Sequence, residues 1–368
     1  MDFVVSKSDL LKELQYVQGV VERKTTVPIL SNLLLETTGD RLIITATDLD
    51  VTLQCSCPAQ VKVSGAVTVI ARKLFDIVRL LPEADVHFKA TSEEWVQLTC
   101  QRSHFKLAAL SKENFPDVVS VQGDPVKLPA PALRHMINRS IFAITQEESR
   151  YTLNGALMLV TAAKLTFVTT DGHRLVLISR QGEVDIPSGE VRVLVPRKTL
   201  AELGKLAGEG IESVEFSHTD NHLFFQVGER LLVSRILTGQ FPNYEMVLPK
   251  ENDRTLTLNT LDFADALRRV AVMADEQSRA VRFRIGGGQV DISSASAGFG
   301  EAKESIPGDF EGEALEIGFN SHYLLEFLLG LESDEVLFEL RDQETQGLLR
   351  PAAGGDYDYR YVIMPMKL

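Results

Sequence analysis

Six stretches of the chain carry apolar residues at helical spacing, and short alternating runs fill the intervals between them. Leu10, Leu14, Val17 and Val21 mark one face of a helix over Ser8–Val21, where Asp9 suits the positive N-terminal end. A second helix is predicted over Arg72–Leu81, stopped by Pro82. Pro131 is placed for a helix start, and Leu133, Ile137, Ile141 and Ile144 continue that face. Leu200, Leu203 and Leu206 mark a fourth helix over Arg197–Ala207. Phe263, Leu267, Val270 and Ala274 mark a fifth, and His322–Leu331 makes the sixth. Runs such as Leu42–Ala46, Leu165–Thr169 and Leu223–Val227, bounded by turn residues, predict strands. Each third of the chain offers two helices and about eight short, mostly antiparallel strands. Helices over one side of antiparallel sheets make an α+β fold.

The thirds also repeat one another. Arg72-Lys73 recurs as Arg197-Lys198, 125 positions on, and Asn114-Phe115-Pro116-Asp117 recurs as Gln240-Phe241-Pro242-Asn243, 126 positions on. In a worn third copy Gly318-Phe319-Asn320-Ser321 takes the Arg-Lys position, and Tyr361–Met366 stands where Phe-Pro stood. Repeats of this length are duplicated domains, not solenoid turns. The polar, turn-rich segments Gly123-Asp124-Pro125 and Lys250–Asp253 place boundaries giving domains 1–122, 123–250 and 251–368. Three similar domains point to a symmetric assembly rather than a single catalytic cleft.

Composition narrows the class without deciding it. At 368 residues, 44% hydrophobic and 24% charged, the chain reads as an ordinary soluble protein. No window approaches the roughly 18 unbroken apolar residues of a membrane helix. The start, Met1–Lys7, lacks a basic region followed by an apolar run. The three cysteines, Cys55, Cys57 and Cys100, cannot all pair, which fits a reducing cytoplasm. No Cys-x2-Cys pair or nearby His offers a metal site, and no cofactor motif stands out.

A formal net charge of −13, taken alone, argues against phosphate binding. What matters is whether the 38 basic residues segregate onto one face. Arg134, His135, Asn138 and Arg139 lie away from the apolar face of their helix. Lys198 and Lys205 are seven apart, as are Arg72 and Arg79, and Arg268 and Arg269 sit on the fifth helix. The sixth helix, with Tyr323-Leu324-Leu325-Glu326-Phe327, carries no Lys or Arg. Two readings stay open on these residues. One is that the basic faces of matching helices gather on one side of an assembly; the other is a three-domain scaffold that does not bind DNA and whose basic faces are merely solvated.

Enzymatic readings fare worse. Asp171 and His173 with Ser179 invite a hydrolytic reading, but no Gly-x-Ser-x-Gly elbow exists and Asp171-Gly172 reads as a turn. Ile285-Gly286-Gly287-Gly288-Gln289 lacks the Gly-Lys-Ser/Thr of a phosphate loop and reads as a hairpin.

Eight motifs occur in order along the whole chain. They are Pro28-Ile-Leu-Ser-Asn-Leu-Leu-Leu35, Thr47-Asp-Leu-Asp50, Ala71-Arg-Lys73, Arg150-Tyr-Thr-Leu-Asn-Gly155, Thr170-Asp-Gly-His-Arg-Leu175, Gln240-Phe-Pro-Asn-Tyr244, Ile317-Gly-Phe-Asn320 and Met364-Pro-Met-Lys-Leu368. Together, without a large insertion, they resemble the bacterial DNA polymerase III beta subunits, or beta sliding clamps. The resemblance implies three repeated clamp domains, each with two helices packed on antiparallel sheets, in a chain that dimerises head to tail into a six-domain ring. Such a ring encircles duplex DNA regardless of sequence, tethers the replicative polymerase and gives processivity without catalysis or a cofactor of its own. Contacts to phosphates alone carry no sequence information and permit sliding. The implied partners are double-stranded DNA, a second copy, the polymerase alpha subunit, the clamp loader, and other polymerases and repair proteins that present short linear peptides.

Carried onto this chain, the resemblance implies DNA contacts at Lys24, Arg150 and Tyr151 in loops. It also implies contacts at Arg72, Lys73, Arg79, Arg134, Arg139, Arg197, Lys198 and Lys205 on helices. The implied partner-peptide pocket comprises Leu153, Thr170, Gly172, His173, Arg174, Leu175, Pro242, Met246, Val247, Asn320, Tyr323, Met364, Pro365, Met366, Lys367 and Leu368. Leu, Val, Pro and Met suit an apolar groove, with His173 and Arg174 as its polar edge. The implied dimer seam joins Lys73, His104, Phe105 and Leu107 of one copy to Val272, Met273, Glu301 and Glu304 of the other; Phe105 reads equally well as a core residue. Thr152, Glu147, Met246 and Ser278 depart from the family pattern, and the last two imply a taste for more apolar peptide side chains.

Overall fold

The computed structural model describes residues 1–368 apart from 23–25, 91, 93, 183, 185–188, 297 and 368, and apart from the side chains of Glu148 and Glu311. Lys24 and Leu368, named above for DNA contact and pocket, lie outside the described residues. The helices are α1 (Lys7–Val17), α2 (Ala71–Leu80), α3 (Ala130–Ser140), α4 (Arg197–Leu206), α5 (Thr260–Ala271) and α6 (Ser321–Leu329). Side chains start three of them: the Ser6 hydroxyl accepts from Asp9 N, Asn259 from Leu261 N and Asp262 N, and Asn320 from His322 N and Tyr323 N.

Three helices are shorter than their apolar patterns predict: α1 stops at Val17 rather than Val21, α5 at Ala271 rather than Ala274, and α3 at Ser140. Ile141 and Ile144 do not continue the face of α3, because the chain tightens there into a 3-10 turn, Ile141–Ala143. The Ser140 hydroxyl donates to Met136 O at 2.7 Å, and Thr169 Oγ1 occupies Ser140 O at 2.8 Å. A carbonyl already taken by a strand residue competes with the next helical turn.

The chain folds as two compact units, one of residues 1–134 and 198–236, the other of 135–197 and 237–368. The first is built on a 13-stranded antiparallel sheet. Its strand Val51–Pro58 pairs with Arg230–Arg235, from Leu231 opposite Gln54 to Ser234 opposite Val51. Strands of the first and middle thirds thereby share one sheet. Helix α1 is tied to the same region: Glu13 on α1 accepts two hydrogen bonds from Arg230, at 2.7 and 2.6 Å, and both side chains are largely buried. A fork of this kind is the geometry in which Arg and a carboxylate bind most strongly.

The second unit repeats the device with a 9-stranded sheet and adds a 4-stranded one. Strand Arg174–Gln181 pairs with Tyr357–Ile363 over seven residues, from Arg174 opposite Ile363 to Arg180 opposite Tyr357. Pairing strands across repeats removes open sheet edges that would otherwise need protection. Its aromatic core includes Phe327 stacked on Tyr361 at 4.7 Å, and Phe283 between Phe263 and Phe319. Gly287 and Gly288 form the two-residue loop between Gly286 and Gln289 with φ of +65° and +77°. Left-handed backbone at both positions is what a tight hairpin of this kind requires.

Candidate functional site

Within the second unit, Leu157, Val168, Leu175, Leu177, Leu194, Leu237 and Phe241 build an apolar floor. Five of them come from adjacent strands in direct register, where Leu157 faces Val168 and Leu194, and Val168 faces Leu177; Leu237 and Phe241 come from the segment after strand Arg230–Arg235. Over this floor opens a cavity of about 110 Å³. It is lined by Leu153, Thr170, Gly172, His173, Arg174, Leu175, Phe241, Pro242, Tyr244, Val247, Val362 and Met364.

One rim of the cavity is a tight turn, and its residue types explain its shape. Asp171 Oδ1 accepts from His173 N at 2.9 Å and Arg174 N at 3.0 Å. Thr170 Oγ1 donates to Arg174 O at 2.6 Å and accepts from Gly172 N at 3.0 Å. Gly172 has φ +90°, and a Cβ there would lie 2.7 Å from Arg150 Nη1. Arg150 holds the turn from outside by donating from Nη1 to Asp171 O at 2.6 Å.

Arg174 is the organiser rather than a free polar edge, as its side chain is only 6% exposed. Its Nε donates to Asp171 Oδ2 at 3.0 Å, Nη1 to Glu326 Oε2 at 2.6 Å and Nη2 to Phe142 O at 2.7 Å. Its guanidinium carbon lies 4.2 Å from the Tyr323 ring centre. The Tyr361 hydroxyl donates to Tyr323 O at 2.8 Å, and burial pushes that phenol far above its ordinary pKa. The charge of Arg174 is therefore spent on fixing the turn and α6 against the cavity wall.

The remaining pocket candidates are placed nearby or elsewhere in the unit. Met364 N donates to His173 O at 3.0 Å, and Met366 N to Gly318 O at 2.8 Å, so the tail is tied down on both sides. Pro365, Met366 and Lys367 do not line the cavity. Asn320 caps α6, and Tyr323 packs on Arg174 behind the cavity wall. Met246 points outward at 78% exposure and lines a separate groove with Leu248, Pro249 and Arg341. Phe241, Tyr244 and Val362 line the cavity as well, beyond the residues that the resemblance implied for it. The alternation of Val362 with Met364, two apart along one chain direction, was the available signal for the last of these.

The basic candidates divide into free and engaged groups. Arg72, Lys73 and Arg79 project from α2 into solvent; Arg72 and Arg79 share the half-exposed Asp76, each at 3.9 Å, and the Arg79 guanidinium lies 5.9 Å from the Phe75 ring centre. Arg150 and Tyr151 are exposed on the 3-10 segment Glu148–Leu153. Lys205 meets Glu202 at 2.7 Å. Lys198, expected as a solvent-facing cation, instead donates to Val20 O at 2.7 Å and Asp48 Oδ2 at 2.5 Å. Arg139, expected likewise, is mostly buried against Glu332 at 2.6 Å, and the Arg139 carbonyl accepts from Tyr359 Oη at 2.9 Å. Arg134 is half-buried. Arg197 is half-buried too, and its Nε has no hydrogen-bond partner among the described residues.

Each unit presents an open strand edge among the described residues. Strand Ser103–Leu110 pairs along its length with Trp95–Cys100, but on its other side only Ala109 and Leu110 are paired. His104, Phe105 and Lys106 are exposed there, so Phe105 is not a core residue. In the second unit, strand Gly300–Pro307 is an outer strand of the four-stranded sheet. Met273 Cε lies 3.3 Å from where a Cβ on Gly300 would stand, and Val272 beside it is 79% exposed. Glu304 is already gripped by Arg269 at 2.9 and 2.5 Å, while Glu301 is exposed.

Among the described residues, no group of three His, Cys, Asp or Glu side chains could hold a metal ion. No described helix is long and apolar enough to cross a membrane.

Comparison with known proteins places this architecture. The chain matches the N-terminal, central and C-terminal domains of the DNA polymerase III beta subunit over residues 1–119, 127–243 and 245–367, and it belongs to that family, the DNA sliding clamps of replication. The beta sliding clamps of Pseudomonas putida and Caulobacter vibrioides are 38% and 36% identical to it, each over the full length of both chains. The crystal structure of the DNA polymerase III subunit beta from Pseudomonas aeruginosa is similar throughout both chains, with a TM-score of 0.93 at 34% identity. The sliding clamp of Bacillus subtilis has the same TM-score at 26% identity, covering 100% of this chain and 99% of that one.

Proposed function

We propose that two copies of this chain join head to tail into a ring around duplex DNA, slide along it, and tether the replicative polymerase and other DNA-processing proteins. The observation that carries this reading is the pair of open strand edges. Residues 103–108, with His104 and Lys106, offer unpaired backbone and positive charge. Strand Gly300–Pro307, with Glu301, offers unpaired backbone and negative charge. Antiparallel pairing of the first edge in one copy with the second edge in another would continue a sheet through the joint. Phe105 and Leu107 would then meet Val272 and Met273. Because the edges lie in the first and last thirds, the contact forms twice and closes, as a cyclic two-copy assembly does.

The division into domains 1–122, 123–250 and 251–368 belongs to this reading, with three similar parts per copy around the hole. The exposed cations Arg72, Lys73, Arg79, Arg150 and Lys205 serve as phosphate contacts. Lys198 and Arg139 serve as structural cations that shape the same helices. Diffuse contact of this sort favours travel over grip. The cavity beneath Leu153, Pro242, Val247 and Met364 takes short linear peptides of the polymerase alpha subunit, the clamp loader and repair proteins, an apolar anchor on one side and the Asp171 turn on the other. The protein acts in the cytoplasm as a processivity factor and performs no chemistry of its own.

Native mass spectrometry of the intact protein tests the closure. Two chains per particle are expected, and Phe105→Asp combined with Val272→Asp, which sets like charges against each other across the seam, should give single chains of 40.8 kDa. A dimer that persists in the double variant would overturn the seam.

A further inference from the structure

The first unit holds a cavity of about 880 Å³ that the reading above leaves unused. It is framed by the same parts as the cavity of the second unit. There, Leu157 faces Val168 and Leu194, and Val168 faces Leu177. Here, Leu34 faces Thr45 and Thr68, and Thr45 faces Gln54. Phe115-Pro116 lines this cavity as Phe241-Pro242 lines the other. Position for position, the sheet face changes from Leu, Val, Leu and Leu to Leu, Thr, Gln and Thr.

The polar face is complete in itself. Gln54 Nε2 donates to Thr45 Oγ1 at 3.3 Å. Thr68 Oγ1 accepts from Asn32 Nδ2 at 3.0 Å and donates to Leu110 O at 3.1 Å. Leu34 and Gln54 line the cavity while Thr45 and Thr68 lie buried beneath it, so a leucine seated there would meet the Gln54 amide where the second repeat has Leu177. The rim changes in the same sense. Glu36 holds the ladder position of Leu159, and Glu113 and Asp117 stand where the second repeat has Gly239 and Asn243. All three carboxylates line the cavity; Lys112 Nζ meets Glu36 Oε1 at 2.6 Å, and Glu113 and Asp117 are exposed at the mouth. At one end Ile29, Leu30, Leu34 and Phe115 pack with Ala66 into a small apolar patch.

We propose that this cavity is a second docking site, and that its occupant is an extended basic segment of a partner protein, with Arg or Lys side chains spaced by small residues. The long alkyl stems of such residues suit the Leu34–Phe115 patch while their charged heads reach the carboxylates. The extended form of the ligand rests on the peptide-site reading of the second-unit cavity, because both share one frame; the preference for positive charge does not. Duplication has thus given one frame two chemistries, an apolar anchor site and a cation site.

The test uses full-length protein and the fluorescein-labelled peptide Arg-Ala-Arg-Ala-Arg-Ala-Arg, read by fluorescence anisotropy near physiological salt. Glu36→Gln with Glu113→Gln and Asp117→Asn should weaken binding by about tenfold. Ala66→Phe, which narrows the cavity and leaves every charge in place, should weaken it too. Glu209→Gln with Glu215→Gln and Asp220→Asn removes the same charge from exposed sites elsewhere and should leave binding intact. Circular dichroism on each variant checks that it is folded. Equal loss in the two triple variants would reduce the effect to diffuse attraction and overturn the proposal, as would full binding by Ala66→Phe. Displacement of the arginine peptide by a leucine-rich neutral peptide would overturn it as well. Leu175→Asp distinguishes the two readings: it should abolish binding of a leucine-bearing peptide to the second unit and leave the arginine peptide bound. Failure of the first result counts against the peptide-site reading, and failure of the second against the cation site.

Discussion

Replacing Arg174 with Met should unfasten the rim of the second-unit cavity. The guanidinium makes three charge-assisted hydrogen bonds, to Asp171, Glu326 and Phe142 O, at 3.0, 2.6 and 2.7 Å. Removing one partner of a buried ion pair costs about 3–5 kcal/mol, because the other charges stay behind unpaired. Two features pull the value to the lower end. The side chain of Glu326 is 29% exposed and can turn to water, and Asp171 Oδ1 keeps two backbone donors. About 3 kcal/mol is the expected cost. With two compact units in the chain, a single global unfolding energy is a poor readout. Amide exchange at His173 and Arg174 reports the turn directly, and roughly a hundredfold faster exchange is expected there. Glu326→Gln alone should have a smaller effect, and adding it to Arg174→Met should cost little more. Unchanged protection at His173 in Arg174→Met would refute the idea that this arginine fixes the turn.

Gly172→Ala should loosen the same rim, because φ +90° strains any side chain and the new methyl would displace Arg150 Nη1; about 1–2 kcal/mol of local stability is expected to go, read by exchange at the same amides. Arg139 holds Glu332 below its ordinary pKa of 4.5 by a hydrogen bond. A depressed carboxylate stabilises the fold above its unfolded value and loses that contribution as pH falls through the folded one. The melting-temperature gap between the native protein and Glu332→Gln should therefore be constant above about pH 5 and close below it; a gap that widens in acid would contradict the pair. Arg72→Ala with Arg79→Ala should reduce the log–log salt slope of DNA binding by about 2, whereas Lys198→Ala should cost stability and leave the slope nearly unchanged; a slope change for Lys198→Ala would show that its bonds to Asp48 and Val20 open on DNA.

The helices and their order were legible in the sequence because each buries an apolar stripe at helical spacing, and α2, α4 and α6 fall within two residues of their predicted ends. The ends of α1, α3 and α5 were not; at α3 the Ser140 carbonyl is taken by Thr169, distant in the chain. The pairing of the middle third with both neighbours was invisible for the same reason: strand periodicity says which face is buried, not which strand lies alongside. In the candidate site, the Thr170–Leu175 turn showed itself through Asp-Gly chemistry. The fates of Lys198, Arg139 and Arg174 did not show, because whether a cation is free depends on carboxylates and carbonyls brought in by the fold. Five of those partners, Val20, Asp48, Phe142, Glu326 and Glu332, lie far from their cation in sequence or on another element.

Two copies that enclose DNA are linked to it topologically, and cutting the circle tests that link most directly. Labelled protein is placed on nicked circular DNA with a bacterial clamp loader and ATP, free protein is removed by gel filtration, and the circle is then cut once with a restriction enzyme. Stable retention on the circle and rapid loss after cutting is the predicted result. Equal retention on circular and linear DNA, or loss from both at the same rate, would contradict encirclement.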